Sequence, residues 1–146
     1  MAGTYSRKRV FLISGSRTPI GKFGGSLSRT PVDELAAHTM TNALRKAGIT
    51  SGTLDGVILG HGYQSPFTPN TARVAAQKAN FDSTVPAVTV QRQCGSGMEA
   101  VQLASEKQPE RALEVLQKHL RPGQRIFIGV IDVLDPAVET AETVRD

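Results

Sequence analysis

The run Val85-Pro86-Ala87-Val88-Thr89-Val90-Gln91-Arg92-Gln93-Cys94-Gly95-Ser96-Gly97-Met98-Glu99-Ala100-Val101 decides how this chain is read. Its first half, 86–91, is apolar and β-branched, the pattern of a short buried strand. Its second half is made of small residues that open a helix, and Cys94 stands at the joint. A thiol at a helix start faces backbone N–H groups without intrahelical partners and the positive end of the helix dipole, both of which favour thiolate over thiol. Gly95 and Gly97 carry no Cβ, so the sequence predicts room for a bulky acyl group and its leaving group beside the sulfur. The competing reading is an ordinary buried thiol, since free cysteine is among the most buried residue types. The Gly-Ser-Gly flank favours the reactive reading.

Outward from this run, strand and helix alternate. Residues 9–14 are a short continuous apolar run of the kind a doubly covered parallel strand shows. A Gly-, Ser- and Pro-bearing loop spans 15–31. Val32, Leu35, Ala36, Met40, Ala43, Leu44 and Ala47 fall at helical spacing and predict a helix over 32–47, with Gly48 as its C-terminal cap. A second strand is expected at 55–60, a helix at 71–79 after a loop holding Pro66 and Pro69, and a helix starting at Cys94 and ending before Pro109. Beyond it, Ala112, Leu113, Leu116 and Leu120 mark an amphipathic helix over 110–120. Ile126–Val133 is β-branched enough to be a fourth strand buried on both faces, and 138–144 reads as a short terminal helix. The expected fold is α/β, a layered βαβαβ sheet followed by a helix-strand-helix that can add its strand to that sheet.

Composition narrows the function classes. The 146 residues suit one domain of ordinary size, and a hydrophobic share of 39 % allows a modest core. Seventeen basic against thirteen acidic residues give a net charge of +4. All six charged side chains within residues 1–30 are basic: Arg7, Lys8, Arg9, Arg17, Lys22 and Arg29. Such a stretch could contact an anion, yet aromatics are only 5 % and tryptophan is absent, so stacking platforms for nucleic acid are not expected. No apolar run approaches the roughly 18 residues of a membrane span. One cysteine cannot form an internal disulfide, which fits a reducing, cytoplasmic setting, with mitochondrial or peroxisomal addresses left open. None of the three histidines, His38, His61 and His119, has metal-ligand spacing with Cys94, so no metal site is expected. His61, in Gly60-His61-Gly62, is read as a loop residue without a catalytic role, and His38 and His119 as solvent-facing or core-edge.

Three motifs carry a family resemblance. Ser16-Arg17-Thr18-Pro19-Ile20-Gly21-Lys22-Phe23-Gly24-Gly25-Ser26-Leu27 follows the first strand. Asn70-Thr71-Ala72-Arg73 follows Val57-Ile58-Leu59-Gly60. Cys94-Gly95-Ser96-Gly97 closes the set, with Gln91 standing where many members carry Asn. In this order and spacing the chain resembles the thiolases over residues 8 to about 105. The resemblance implies acyl transfer between coenzyme A and a carbon chain, with Cys94 as the acyl-accepting catalytic residue, an acyl-CoA thioester as substrate and no separate cofactor. It also implies two further groups, a His in Gly-His-Pro and a second Cys in Cys-x-Gly. Neither motif occurs in this sequence.

After residue 105 the text changes. Ile126-Phe127-Ile128-Gly129-Val130-Ile131-Asp132 and Val138-Glu139-Thr140-Ala141-Glu142-Thr143-Val144 resemble the closing strand and helix of the cobalamin-independent methionine synthase barrel. That second resemblance implies a junction near Ser105 to Pro109 and a division into a thiolase-like segment, 1–105, and a non-thiolase tail, 106–146, packing onto the same sheet. One strand and one helix cannot build a barrel site, so no methionine synthase chemistry is expected. Two readings of function stand at this level: a thiolase-like acyltransferase, catalytically incomplete in this chain, or a non-catalytic folded chimera that acts through self-association. Exposed strand edges and an incomplete core predict a homo-oligomer in either case.

Overall fold

The structure is a computed structural model and describes residues 11–106, 126–127 and 129–130. In chain order its elements are β1 (Phe11–Leu12), α1 (Val32–Ala47), a 3₁₀ turn (Ser51–Thr53), β2 (Val57–Gly60), α2 (Thr71–Lys78), β3 (Ala87–Val90), α3 (Ser96–Glu106), β4 (Ile126–Phe127) and β5 (Gly129–Val130). The expected alternation of strand and helix is present. The fourth strand is described at β4 and β5 alone. The helices expected at 110–120, with His119, and at 138–144 lie outside the described residues, as do Arg7 to Arg9.

All strand pairs are parallel. β2 is central in the order β3-β2-β5, with Val57 opposite Ala87, Gly60 opposite Val90 and Ile58 opposite Gly129. β1 pairs with β4, Phe11 opposite Ile126. The alternation of side chains along a strand sends Val57 and Leu59 to one face and Ile58 to the other. On the first face they meet Ala36 and Met40 of α1, Ala72, Ala75 and Ala76 of α2, and Val85. On the second face Ile58 meets Ala100 and Ala104 of α3. All four residues of β2 are buried, as expected for a strand with helices on both sides.

α1 matches its sequence-predicted bounds. Asp33 and Glu34 sit in its first turn and Arg45 and Lys46 in its last, each complementing the helix dipole. Gly48 takes the left-handed conformation at φ 67°, and the N–H of Ile49 returns to the Leu44 carbonyl at 3.1 Å, closing the helix end. Asp33, only 3 % exposed, is the departure from an apolar inner face. It is paired at 2.5 Å with Lys78 at the end of α2, and Lys78 also reaches Glu34 at 3.1 Å. The hydrogen bond to Asp33, with that to Glu34 and the attraction of both carboxylates, outweighs desolvation and holds the Lys78 ammonium above its usual range.

α3 approaches β2 closely at one point. A Cβ placed on Gly60 would lie 2.5 Å from the Gly97 nitrogen and closer still to the Ser96 carbonyl. The last residue of β2 therefore has no space for a side chain, and the first turn of α3 rests directly on strand backbone.

Two outcomes follow for the packing. Gly60→Ala is expected to destabilise the protein by about 3 kcal/mol, because backbone on both sides must move, and an unchanged denaturant midpoint would contradict the contact. Lys78→Met removes the partner of a buried carboxylate. Since the ammonium itself is 39 % exposed, solvent screening reduces the loss to about 1–2 kcal/mol. The Lys78 pKa is raised on folding, so its contribution is complete below its unfolded value of 10.5 and fades as pH rises through the folded value. The gap between wild type and Lys78→Met, measured by urea unfolding, is expected to hold from neutral pH to about 10 and shrink above it.

Candidate functional site

The residues leading to Cys94 are positioned by β3, and β3 is positioned by the Asn70 motif. Asn70 caps α2, its Oδ1 accepting from the N–H of Arg73 at 3.1 Å, while its Nδ2 donates to the Ala87 carbonyl on β3, also at 3.1 Å. Thr89 on β3 donates its hydroxyl to the same Oδ1 at 2.9 Å and accepts from the Ala72 N–H at 2.9 Å. Arg73 adds two bonds, to the carbonyls of Val85 at 2.9 Å and Ser83 at 3.1 Å. Three side chains thus clamp the start of α2 along the strand that delivers Cys94. Just before β3, Asp82 accepts from both the N–H and the hydroxyl of Thr84, which lowers its carboxyl pKa.

After β3 the chain turns sharply. Gly95 and Ser96 donate their N–H groups to the carbonyls of Arg92 and Gln93 at 3.0 and 3.1 Å. Gln93 takes φ 50°, a left-handed conformation seldom adopted by a residue with a side chain of its kind. The Ser96 hydroxyl is buried inside this turn, donating to the Gln93 carbonyl at 2.7 Å and accepting the Arg92 N–H at 2.8 Å. An ion pair between Arg92 and Glu99 crosses the outside of the turn. Gln91 ties it to the loop after β2, its Nε2 donating to the Gly62 carbonyl at 3.0 Å.

Cys94 sits at the crest of the turn with its thiol exposed. The alternative of an ordinary buried thiol is thereby removed. The helix starts at Ser96, two residues later than the sequence reading placed it, because residues 92–95 are held in the turn. Gly97 also departs from expectation. It is buried, and its backbone nitrogen is one of the atoms that a side chain on Gly60 would strike at the end of β2.

His61, read as a loop residue, has its N–H bonded to the Val90 carbonyl at 3.0 Å and its ring buried, 1 % exposed. Nδ1 lies 2.9 Å from the Thr71 hydroxyl, which donates to the Thr68 carbonyl, so the ring nitrogen supplies the proton of that bond. These bonds tie it to the start of α2 and to β3. His38 is exposed on α1, 3.0 Å from the Asn42 amide. Among the described residues no group of three or more His, Cys, Asp or Glu is arranged to hold a metal ion. No described helix is long and apolar enough to cross a membrane.

The comparisons with known proteins fall on the same segment. A family model for the thiolase N-terminal domain matches residues 10–115, extending ten residues past the point where the motif resemblance stops. An acetyl-CoA acetyltransferase of Cupriavidus necator is 43 % identical over 96 residues, covering 66 % of this chain and 24 % of the relative. A probable acetyl-CoA acyltransferase of Staphylococcus aureus is 41 % identical over the same length and shares. The crystal structure of an acetyl-CoA acetyltransferase of Bacillus anthracis aligns with a TM-score of 0.61 at 45 % identity, over 64 % of this chain and 24 % of that one. The chain spans about a quarter of the length of the relatives it matches. With β1 to β3, the clamped α2 and the cysteine turn all inside the matched region, the chain belongs to the thiolase family through its N-terminal domain.

Proposed function

We propose that this segment carries the acyl-accepting cysteine of a coenzyme A-dependent acyltransferase. In the proposed step the Cys94 thiolate attacks the carbonyl carbon of an acyl-CoA thioester. The carbon–sulfur bond to coenzyme A breaks, coenzyme A leaves as a thiolate and takes up a proton, and the acyl group rests on Sγ. A second thiol or a carbanion would later remove it. The observation that carries this reading is the exposed thiol held two residues before a helix that a strand delivers to it. The names of the related proteins supply the substrate class, a thioester of coenzyme A, and no further cofactor is invoked.

The same proposal holds that a polypeptide of these 146 residues alone acylates without turning over, because the sequence contains neither a second cysteine nor a histidine followed by proline. The division at residue 105 and the separate origin of the tail belong to it as well. They rest on the change of residue pattern after Ser105. A cytoplasmic setting is likewise part of the reading, from the lone thiol.

A second reading, a non-catalytic fragment that self-associates, draws on one observation. Ile20, Phe23, Phe67 and Met98 are each more than 60 % exposed, large apolar side chains that association could cover.

Incubation with acetyl-CoA followed by intact-mass analysis is expected to show one acetyl group on the wild-type chain and none on Cys94→Ser. A wild-type protein that stays unlabelled would count for the second reading. Steady-state thiolysis by the pure chain would overturn the claim of incompleteness while leaving the nucleophile assignment standing.

A further inference from the structure

We propose that Ser96 is a positioning residue for Cys94, and that its hydroxyl, more than the helix start itself, sets how the thiol is presented. The proposal rests on reading Cys94 as the acyl acceptor. Two neighbouring facts make the hydroxyl the controlling group. Gln93 is held at φ 50°, a conformation that costs energy for a non-glycine residue and persists only where its surroundings enforce it. The enforcing contacts converge on Ser96. Its hydroxyl accepts from the N–H of Arg92 on one side of Gln93 and donates to the carbonyl of Gln93 itself, at 2.8 and 2.7 Å.

Ser96 is anchored in turn. It is fully buried, and its carbonyl lies against Gly60 at the end of the central strand, so it has no freedom to follow the turn if the turn relaxes. The hydroxyl therefore transmits the rigidity of the sheet to the residue pair on which Cys94 rides. Without it, the Gln93 carbonyl keeps only the Ser96 N–H, at 3.1 Å, the Arg92 N–H loses the hydroxyl it donates to, and Gln93 is expected to relax toward negative φ. Cys94, the next residue, then swings away from the fixed direction. The Arg92–Glu99 ion pair does not replace this bond, since the Arg92 side chain is 69 % exposed and joins the turn only from outside.

The test uses alkylation of the full chain by iodoacetamide, which reports on the thiol without any acyl chemistry, beside acetyl-CoA labelling. Ser96→Ala is expected to slow both reactions roughly tenfold, the scale of losing two hydrogen bonds in a reacting geometry. A matched pair keeps the outcome decisive if Ser96→Ala folds poorly. Ser96→Thr and Ser96→Val have the same shape and differ only in the hydroxyl. The Thr variant is expected to react at least several times faster than the Val variant at equal unfolding midpoints. Equal alkylation rates for Thr and Val would overturn the assignment of Ser96. Loss of acetyl-CoA labelling in the wild type, with the Thr–Val difference intact under iodoacetamide, would instead remove the acyl-acceptor reading and leave the positioning role in place.

Discussion

The meeting of β2 and α3 at Gly60 governs the region around the cysteine. Strand backbone and helix backbone touch there with no side chain between them, so the start of α3 is fixed by the central strand rather than by a spacer that could flex. From that contact the rest follows in order. Ser96 cannot shift, its hydroxyl holds Arg92 and Gln93, and the residue between the turn and the helix is left facing outward. A Cβ at position 62 would come within 3.2 Å of the Gln93 carbonyl, so the loop leaving β2 presses on the same turn from its other end.

Much of this was legible in the residues. The helical spacing from Val32 to Ala47 and the glycine after it give α1 and its cap, because a long amphipathic pattern with a clear stop leaves few alternatives. The continuous apolar character of Val57 to Leu59 marks a strand covered on both faces. The resemblance of the three motifs leads to the family. What the residues do not disclose is how the motifs act on one another. Asn70 enters the sequence reading only as part of a motif after a strand, and nothing local reveals that its amide reaches Ala87 seventeen positions later. Gly97 reads as an opening for substrate, and nothing local reveals that its backbone lies close against the end of β2. Ser96 reads as a helix-start residue, while its bonds run backward into the turn. Asp33 falls on the buried side of α1 against its polarity, and only the end of α2, distant in the chain, explains it. For Asn70, Gly97 and Asp33 the deciding contact is with residues far apart in sequence, and for Ser96 it lies inside a turn whose shape no propensity announces.

The family motifs thus divide between chemistry and architecture. Asn70, Ala72 and Arg73 hold α2 to β3 through main-chain and hydroxyl bonds and touch no reacting group described here. Cys94 stands open at the surface of that framework. The buried His61 belongs with the framework as well, its ring engaged with Thr71 where α2 begins.

The two seams of the molecule are made of different materials. Between α1 and α2 an ammonium and two carboxylates meet near the surface, whereas the bonds inside the cysteine turn are made by a hydroxyl and peptide groups without formal charge. Dissolved ions shield the first kind of attraction and scarcely touch the second. Rising ionic strength therefore weakens the exposed part of that ion pair while leaving the turn that carries Cys94 as stiff as before, so that helix pairing and turn geometry respond to the medium as separate properties.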